Sequence, residues 1–397
     1  MTGPHPTDAI LAINAGSSSL KFALAAAGTL APLCRGGISG LGGAVKLETS
    51  GPLALAGADP PAPGCDHAGA VAWLLGALRR VPGLVVRAAG HRVVHGGRDF
   101  SAPLRVDDEV LARLEQLVPL APAHQPLNLA GIRAVAEAWP GLPQIACFDT
   151  AFHRTQPRLA QLFPIPRALG DEGLLRYGFH GLSYEHVASV LPEVAGPRAD
   201  GRVIVAHLGH GASLCALRNR RSVASTMGLT ALDGLMMGTR SGSVDPGLVL
   251  HLIRERGLSP DAVADLLNAR SGLLGVSGIS DDVRVLQDSD DPRAAEALDL
   301  FVYRAVREAG SLVAALGGLD ALVFTAGIGE HAPRIRAAIA AGLAVFGVAL
   351  DPARNDRGDT CISRVGSRVA VYVVPANEEL PIARAVVRCL AEAVSRG

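Results

Sequence analysis

The chain has 397 residues, room for roughly two to three domains with full cores. Hydrophobic residues at 49% against 19% charged exclude a disordered chain and fit a compact soluble enzyme. Lys plus Arg and Asp plus Glu balance at 37 each, so no basic excess argues for nucleic acid or an anionic membrane surface as partner.

In chain order, the polar, proline-containing stretch Met1 to Asp8 does not read as a signal peptide. Residues 9–24 read as a β-hairpin whose tip is Gly16-Ser17-Ser18-Ser19. Residues 30–65 read as further short strands, with weak alternation over 45–55. Helical periodicity follows over 68–80, then a buried strand over 84–95, helices over 107–118 and 128–138, and a strand over 144–148 that delivers Asp149. The order then repeats: a hairpin over 203–217 with its tip at Gly209-His210-Gly211, a strand near 221–225, and helices over 247–256, 261–268 and 292–316. The last of these has apolar positions at Leu298, Val302 and Val306. A strand over 321–324, a helix over 333–341, a strand over 369–374 and a closing helix over 379–396 complete the chain. Strands first, then alternating helices and strands, twice over, is a duplicated α/β architecture. The longest apolar run, Ala337 to Leu350, is too short to span a bilayer. The cysteines (Cys34, Cys65, Cys147, Cys215, Cys361, Cys389) show no Cys-x-x-Cys, which fits reduced cytosolic thiols without a disulfide framework or zinc site.

The two hairpin tips look like copies of one device. Glycine lets a backbone approach a ligand closely, and consecutive turn amides form an anion-binding concavity. Two such tips suggest two related domains gripping one polyphosphate; the plainer alternative is a pair of ordinary tight turns. Lys21 beside the first tip adds a charge for phosphate. Gly-x-x-x-x-Gly-Lys-[Ser/Thr] is missing and strand follows, so this is not a Walker A loop. Thr325-Ala326-Gly327-Ile328-Gly329-Glu330 follows a strand and opens a helix, where amides favour polar ligand groups. Three cationic or titratable residues stand out: Arg92 in a buried-looking strand, Arg240 in an aperiodic loop, and His180 in Arg176-Tyr177-Gly178-Phe179-His180-Gly181. Each alone also fits a salt-bridged arginine or a core histidine. Phosphoryl transfer needs several such groups around one transferring group. Asp149 and Glu378 are the candidate carboxylates for Mg²⁺, which uses one or two carboxylates plus substrate phosphates. Their alternative is helix capping.

Together these segments resemble the acetate kinase family of the actin/sugar-kinase/heat-shock-protein superfold, from Ile13 to Leu380. The resemblance rests on Asn14-Ala15-Gly16-Ser17-Ser18-Ser19-Leu20-Lys21, the run His91-Arg92-Val93-Val94-His95-Gly96-Gly97, Phe148-Asp149-Thr150-Ala151-Phe152-His153, Arg176 to Gly181, Gly234 to Gly242, and Asn377-Glu378-Glu379-Leu380. It implies a homodimeric, cytoplasmic, Mg²⁺-dependent kinase, with Mn²⁺ as an alternative metal, that makes acetyl phosphate and ADP from acetate and ATP reversibly. It implies actin-like, ribonuclease-H-like domains: 1–150 plus 381–397 on the acceptor and metal side, and 151–380 on the nucleotide side, with a nucleotide cleft between them. Asn14 and Glu378 would serve magnesium. Lys21 and His207, Leu208, Gly209, His210 and Gly211 would hold the ATP phosphates. Asp282, Val283 and Arg284, with Gly327, Ile328, Gly329, Glu330 and His331, would hold the nucleoside side. Arg92 would bind the carboxylate, and Val94, Ala123, Phe179 and Ala231 its methyl group. Asp149, His180 and Arg240 would serve the transferring phosphoryl.

The chain departs from the family pattern at several points. His210 stands for the usual Asn and Ala212 for Ser. Leu182-Ser183-Tyr184 stands for Thr-Ser-His, and Ala123 and Ala231 stand for Leu and Pro. Three alternatives stay open: a propionate or other short-chain carboxylate kinase of the same family, a sugar or polyol kinase of the same superfold, and a non-enzymatic ATP-driven clamp or filament subunit. A sugar kinase would need Asp149 as a base, because a hydroxyl must lose a proton; a carboxylate is already ionised.

Overall fold

The computed structural model describes residues 7–16, 19–55 and 58–396. Ser17 and Ser18, expected at the first hairpin tip, lie outside the described residues, as does most of the N-terminal stretch Met1 to Asp8. The chain divides into two compact units. The first joins the residues up to Ala151 with those from Asn377 onward; the second is Phe152–Ala376. The return point therefore lies between Ala376 and Asn377, four residues before the expected one.

In the first unit a seven-stranded sheet holds β1 (Thr7–Ala15), β2 (Ser19–Ala26), β3 (Pro32–Ser39), β4 (Lys46–Ser50), β5 (Leu84–Val93), β6 (Leu104–Arg105) and β7 (Gln144–Phe148), in the order β4-β3-β2-β1-β5-β7-β6. The first hairpin has Asn14 opposite Lys21, and Gly16 N–H closes it on the Ser19 carbonyl at 2.8 Å. β1 is apolar nearly throughout because it is central, running parallel to β5 and covered on both faces. Leu11, Ile13, Leu20, Phe22 and Leu24 pack with Val71, Leu74 and Leu78 of the helix His67–Arg79. Asp66 caps that helix by accepting from Gly69 N–H. The closing helix Glu379–Arg396 packs on β1, β5 and β7. Gly90 permits this, since a methyl there would collide with Ile382 and Val386.

In the second unit, β8 (Arg202–Leu208), β9 (Ala212–Arg218), β10 (Arg221–Ser225), β11 (Ala321–Thr325) and β12 (Ala370–Val373) form a five-stranded sheet in the order β10-β9-β8-β11-β12. Its first two pairings are antiparallel and its last two parallel. Strands β3-β2-β1-β5-β7 of the first unit have the same order and the same senses. The duplication expected from the two hairpins is thus a duplication of whole sheets.

The expected helices over 247–256, 261–268, 292–316 and 333–341 are present as Pro246–Arg254, Pro260–Ala269, Pro292–Leu316 and Pro333–Gly342. In Pro292–Leu316 the fully buried line runs through Ala294, Ala297, Phe301, Ala305 and Ala309. Leu298, Val302 and Val306, the apolar positions noted in the sequence, flank that line half-buried. Small residues let the helix lie close to its neighbours. A fifteen-residue helix, Gly181–Ala195, stands in a stretch to which no element is assigned from the sequence.

Candidate active site

The parallel strands β1, β5 and β7 point their C-terminal ends the same way, so the residues that leave them share one edge of the first sheet. Asn14 lies near the end of β1, Arg92 near the end of β5, and Asp149 follows β7. Arg92 donates to Asp149 Oδ2 from Nε at 2.9 Å and from Nη2 at 2.5 Å. The Asp149 side chain is 1% exposed and that of Arg92 12%. Asn14 Nδ2 donates to Glu378 Oε2 at 2.7 Å, and Glu378 acts electrostatically on Arg92. Asn128 braces this edge: its Oδ1 accepts from Val94 N–H at 2.9 Å and its Nδ2 donates to the Ala15 carbonyl at 3.1 Å. Val94 is buried and Ala123 exposed.

Two oxygen donors, the Asn14 amide and the Glu378 carboxylate, suit Mg²⁺, which keeps few protein ligands and takes the rest from water and phosphate. No cluster of three or more His, Cys, Asp or Glu with metal-binding geometry occurs among the described residues. Such a pair fits a metal that arrives with its nucleotide better than a resident ion. Lys21 is exposed and lines a cavity of about 460 Å³ with Arg35, Glu48 and Glu379. Burial and the neighbouring Glu378 push the Glu379 carboxyl above the usual carboxylate range, against the charges of Lys21 and Arg35.

In the second unit the tip between β8 and β9 folds on itself through Gly209 N–H to the Gly211 carbonyl at 3.1 Å. Gly238 N–H donates to the His210 carbonyl at 3.0 Å, tying the tip to the loop that carries Arg240. A cavity of about 480 Å³ opens beside it, lined by Gly209, His210, Asp281, Asp282, Val283, Arg284, Gln287, Gly327, Ile328, His331 and Ala332. Three segments singled out separately in the sequence therefore meet on one cavity. Ala326, at φ 67°, starts the short helix Ala326–His331 that supplies its far wall. Asp282 caps the helix Val283–Gln287 by accepting from Arg284 N–H, and also accepts from the Arg284 guanidinium. Those bonds from Arg284 hold the Asp282 carboxyl below the usual range. The imidazole of His210 turns to Asp281, with Nε2 and Oδ2 3.0 Å apart.

Other expected contacts sit elsewhere. Leu208 is fully buried, as an apolar strand residue paired with Ala212 should be. His207 directs Nδ1 to Ser183 Oγ at 2.8 Å. Glu330 Oε1 accepts from Ala376 N–H at 2.9 Å. His207, Leu208, Gly211, Gly329 and Glu330 do not line the cavity.

His180 precedes the helix Gly181–Ala195 in a left-handed conformation, φ 57°. Its Nδ1 lies 2.8 Å from Ser213 Oγ, and its ring stacks on His207 with centroids 4.1 Å apart. A Cβ built on Gly211 would lie 3.0 Å from Arg240 Nη2 and 3.2 Å from His180 Nε2, so both groups border the hairpin tip and glycine leaves them room. Arg240 Nη1 donates to the Ala231 carbonyl at 2.7 Å. Phe179 is buried, and His153 Nε2 donates to its carbonyl at 2.9 Å. Sequence reasoning missed Asn128, Asp281, Gln287, Tyr184 and Ser213. Asp281 could have been found from its place beside Asp282, and Tyr184 from its place in the Leu182-Ser183-Tyr184 departure.

Residues 9–384 match the Acetokinase family. An acetate kinase of Rhodopseudomonas palustris is 52% identical over 96% of this chain and 98% of its own. The crystal structure of a Porphyromonas gingivalis acetate kinase is 36% identical, with a TM-score of 0.84 over 96% of this chain and 100% of the other. That of a Francisella tularensis propionate kinase is 35% identical, with a TM-score of 0.88 over 95% and 98%.

Proposed function

The chain belongs to the acetokinase family, and from that premise we infer that it is an ATP:carboxylate phosphotransferase, converting acetate and ATP reversibly to acetyl phosphate and ADP. The observation that carries the nucleotide half is the single cavity of about 480 Å³ shared by the Gly209-His210 tip, Asp282 to Arg284 and Gly327 to His331. Its size suits a nucleoside.

Acetate needs no general base, because a carboxylate is ionised at neutral pH. One carboxylate oxygen attacks the γ-phosphorus in line as the bond to the ADP oxygen breaks, and ADP leaves with those electrons. The barrier is repulsion between two anions and their alignment. Arg92 binds the carboxylate, while His180 and Arg240 stabilise the transferring phosphoryl. Asp149 holds Arg92 in place and would orient the water shell of a bound metal. Asn14 and Glu378 would hold Mg²⁺, or Mn²⁺ in its stead, which would supply charge neutralisation on the phosphates. The reading requires Arg92 and Arg240 to act on one phosphoryl group, and non-additive losses in a double-variant cycle test that.

We further propose a homodimer: Val244, Val276 and Leu300 are exposed around a groove of about 470 Å³ on the second unit. The six free cysteines fit a cytoplasmic location. Among the described residues no helix is long and apolar enough to cross a membrane. A second substrate reading, propionate, is favoured by Ala123 and Ala231, both smaller than the family's Leu and Pro, and by the likeness to a propionate kinase structure.

The deciding assay combines protein, ATP, Mg²⁺, acetate and hydroxylamine. Acetyl hydroxamate that depends on both ATP and acetate supports the proposal. ATP-dependent phosphorylation of a sugar, with no hydroxamate, overturns it.

A further inference from the structure

We propose that Tyr184 and Ser213 are positioning residues that hold His180 as the neutral tautomer with its proton on Nε2, so that the ring donates to the transferring phosphoryl group without first gaining a proton. The proposal rests on the reading of His180 as a phosphoryl donor and names what makes it one.

The three groups stand in a row. Tyr184 Oη lies 2.5 Å from Ser213 Oγ, which lies 2.8 Å from His180 Nδ1. Tyr184 and Ser213 are fully buried, and neither hydroxyl makes another hydrogen bond among the described residues. Counting protons fixes the direction. Burial raises the Tyr184 phenol well above its ordinary range, so it keeps its hydrogen. That hydrogen has one acceptor in reach, Ser213 Oγ. Ser213 then has one hydrogen of its own to give, and His180 Nδ1 is where it goes. Nδ1 must offer a lone pair, which leaves the ring proton on Nε2. The reverse chain, from Nδ1–H through Ser213 to Tyr184, strands a phenolic hydrogen in the core, and a buried unsatisfied donor is costly.

The rest of the surroundings agree. Nε2 borders Gly211 beside the Arg240 guanidinium. A neutral donor next to that cation avoids like-charge repulsion, and the stacked His207 ring adds a second imidazole face. The left-handed backbone of His180 and the helix that starts after it limit how far the ring can swing. Tyr184 stands where the family's Thr-Ser-His run has histidine.

The test is ¹⁵N imidazole spectroscopy with steady-state kinetics, with the His180 signals assigned by difference against His180→Ala. The wild type is expected to show a bare Nδ1 and a protonated Nε2 over roughly pH 6 to 8. Tyr184→Phe, which keeps the ring, should give mixed tautomers and lower kcat about tenfold, a part of what one preorganised donor to the transition state supplies. KM for ATP and acetate should stay within about twofold, because ground-state binding is untouched. Ser213→Ala should repeat the effect and stands in if Tyr184→Phe does not fold; Ser213→Thr, which keeps a hydroxyl, should rescue it. A protonated Nδ1 in the wild type, or an unchanged tautomer in Tyr184→Phe with or without a rate loss, overturns the proposal. Full activity in His180→Ala overturns instead the role of His180, whatever its tautomer.

Discussion

Arg92 meets Asp149 through a single oxygen: both Nε and Nη2 of the guanidinium donate to Oδ2. An arginine held this way presents its remaining edge to a ligand, and Nη1 reaches only a long 3.5 Å contact with the Ala15 carbonyl. Arg92→Ala should therefore act twice. It removes carboxylate binding, and it leaves Asp149 buried without its cation, which costs about 3–5 kcal/mol of stability. Asp149→Asn should cost less stability and keep acetate binding, with the loss in turnover. Urea melts and acetate titrations of the two variants decide it; equal melting midpoints for Arg92→Ala and wild type would show that the pair is not structural.

Arg240 is only partly buried, and its Nη1 donates to the Ala231 backbone carbonyl. Arg240→Ala should leave the fold intact and lower kcat by about 3 kcal/mol of transition-state stabilisation. Near-normal kcat in a folded variant would remove Arg240 from the reaction.

The His210–Asp281 pair is exposed on both sides. Such pairs contribute little to stability, but this one lies on the wall of the cavity proposed to take the nucleotide. Asp281 puts a carboxylate on that wall, and a carboxylate repels the phosphates of ATP. Asp281→Asn should therefore tighten ATP binding, whereas His210→Asn, which keeps a hydrogen-bonding side chain, should change it less. Calorimetric titrations measure both; unchanged affinity in Asp281→Asn would mean the pair lies away from the phosphates.

Stability itself should depend on pH through three buried histidines. Burial pushes His91, His95 and His153 down to about 4 from 6.5. Between those values the unfolded chain binds more protons than the folded one, so stability falls as pH drops from 6.5 toward 4 and levels off below. Each histidine contributes a slope of up to about 1.4 kcal/mol per pH unit within that window. Replacing His91 by Gln should flatten the pH dependence of the urea midpoint by one proton's share. An unchanged slope would mean His91 is charged in the fold.

Ala123 is exposed in the first unit, two residues before the helix that carries Asn128. If its small side chain leaves room for substrate carbon, each extra buried methylene contributes about 0.8 kcal/mol. Ala123→Leu should then raise the acetate-to-propionate ratio of kcat/KM severalfold, within the roughly 200-fold that one methylene allows. A constant ratio would assign the acyl pocket elsewhere.

Both hairpins, the strand delivering Asp149, and the cavity segments were legible because glycine turns and alternating apolar runs are local signals. The helix Gly181–Ala195 was not. It opens on a left-handed histidine in place of a Ser, Thr or Asp cap, holds Pro192, and buries Ser183 and His186 along with Val187 and Leu191. Burial on most faces erases the polar stripe that marks a helix. The same helix carries Tyr184 and Ser183, so missing it hid the polar partners of His180 and His207. In the helix Pro292–Leu316 the apolar positions pointed to the right element, while the most buried line runs through alanines, which sit where backbones approach closely.

The Asn14–Glu378 contact joins residues 364 apart in sequence. Phe152–Ala376 is one unbroken stretch, whereas the first unit must wait for the helix Glu379–Arg396 to roof β1, β5 and β7. Synthesis therefore completes the second unit before the unit that started first. A ribosome-bound chain stopped at Ala376 would carry the whole cavity around Gly209 and Ile328, yet lack Glu378. On a growing chain, the cavity proposed for the nucleotide is thus made before the carboxylate proposed for its metal.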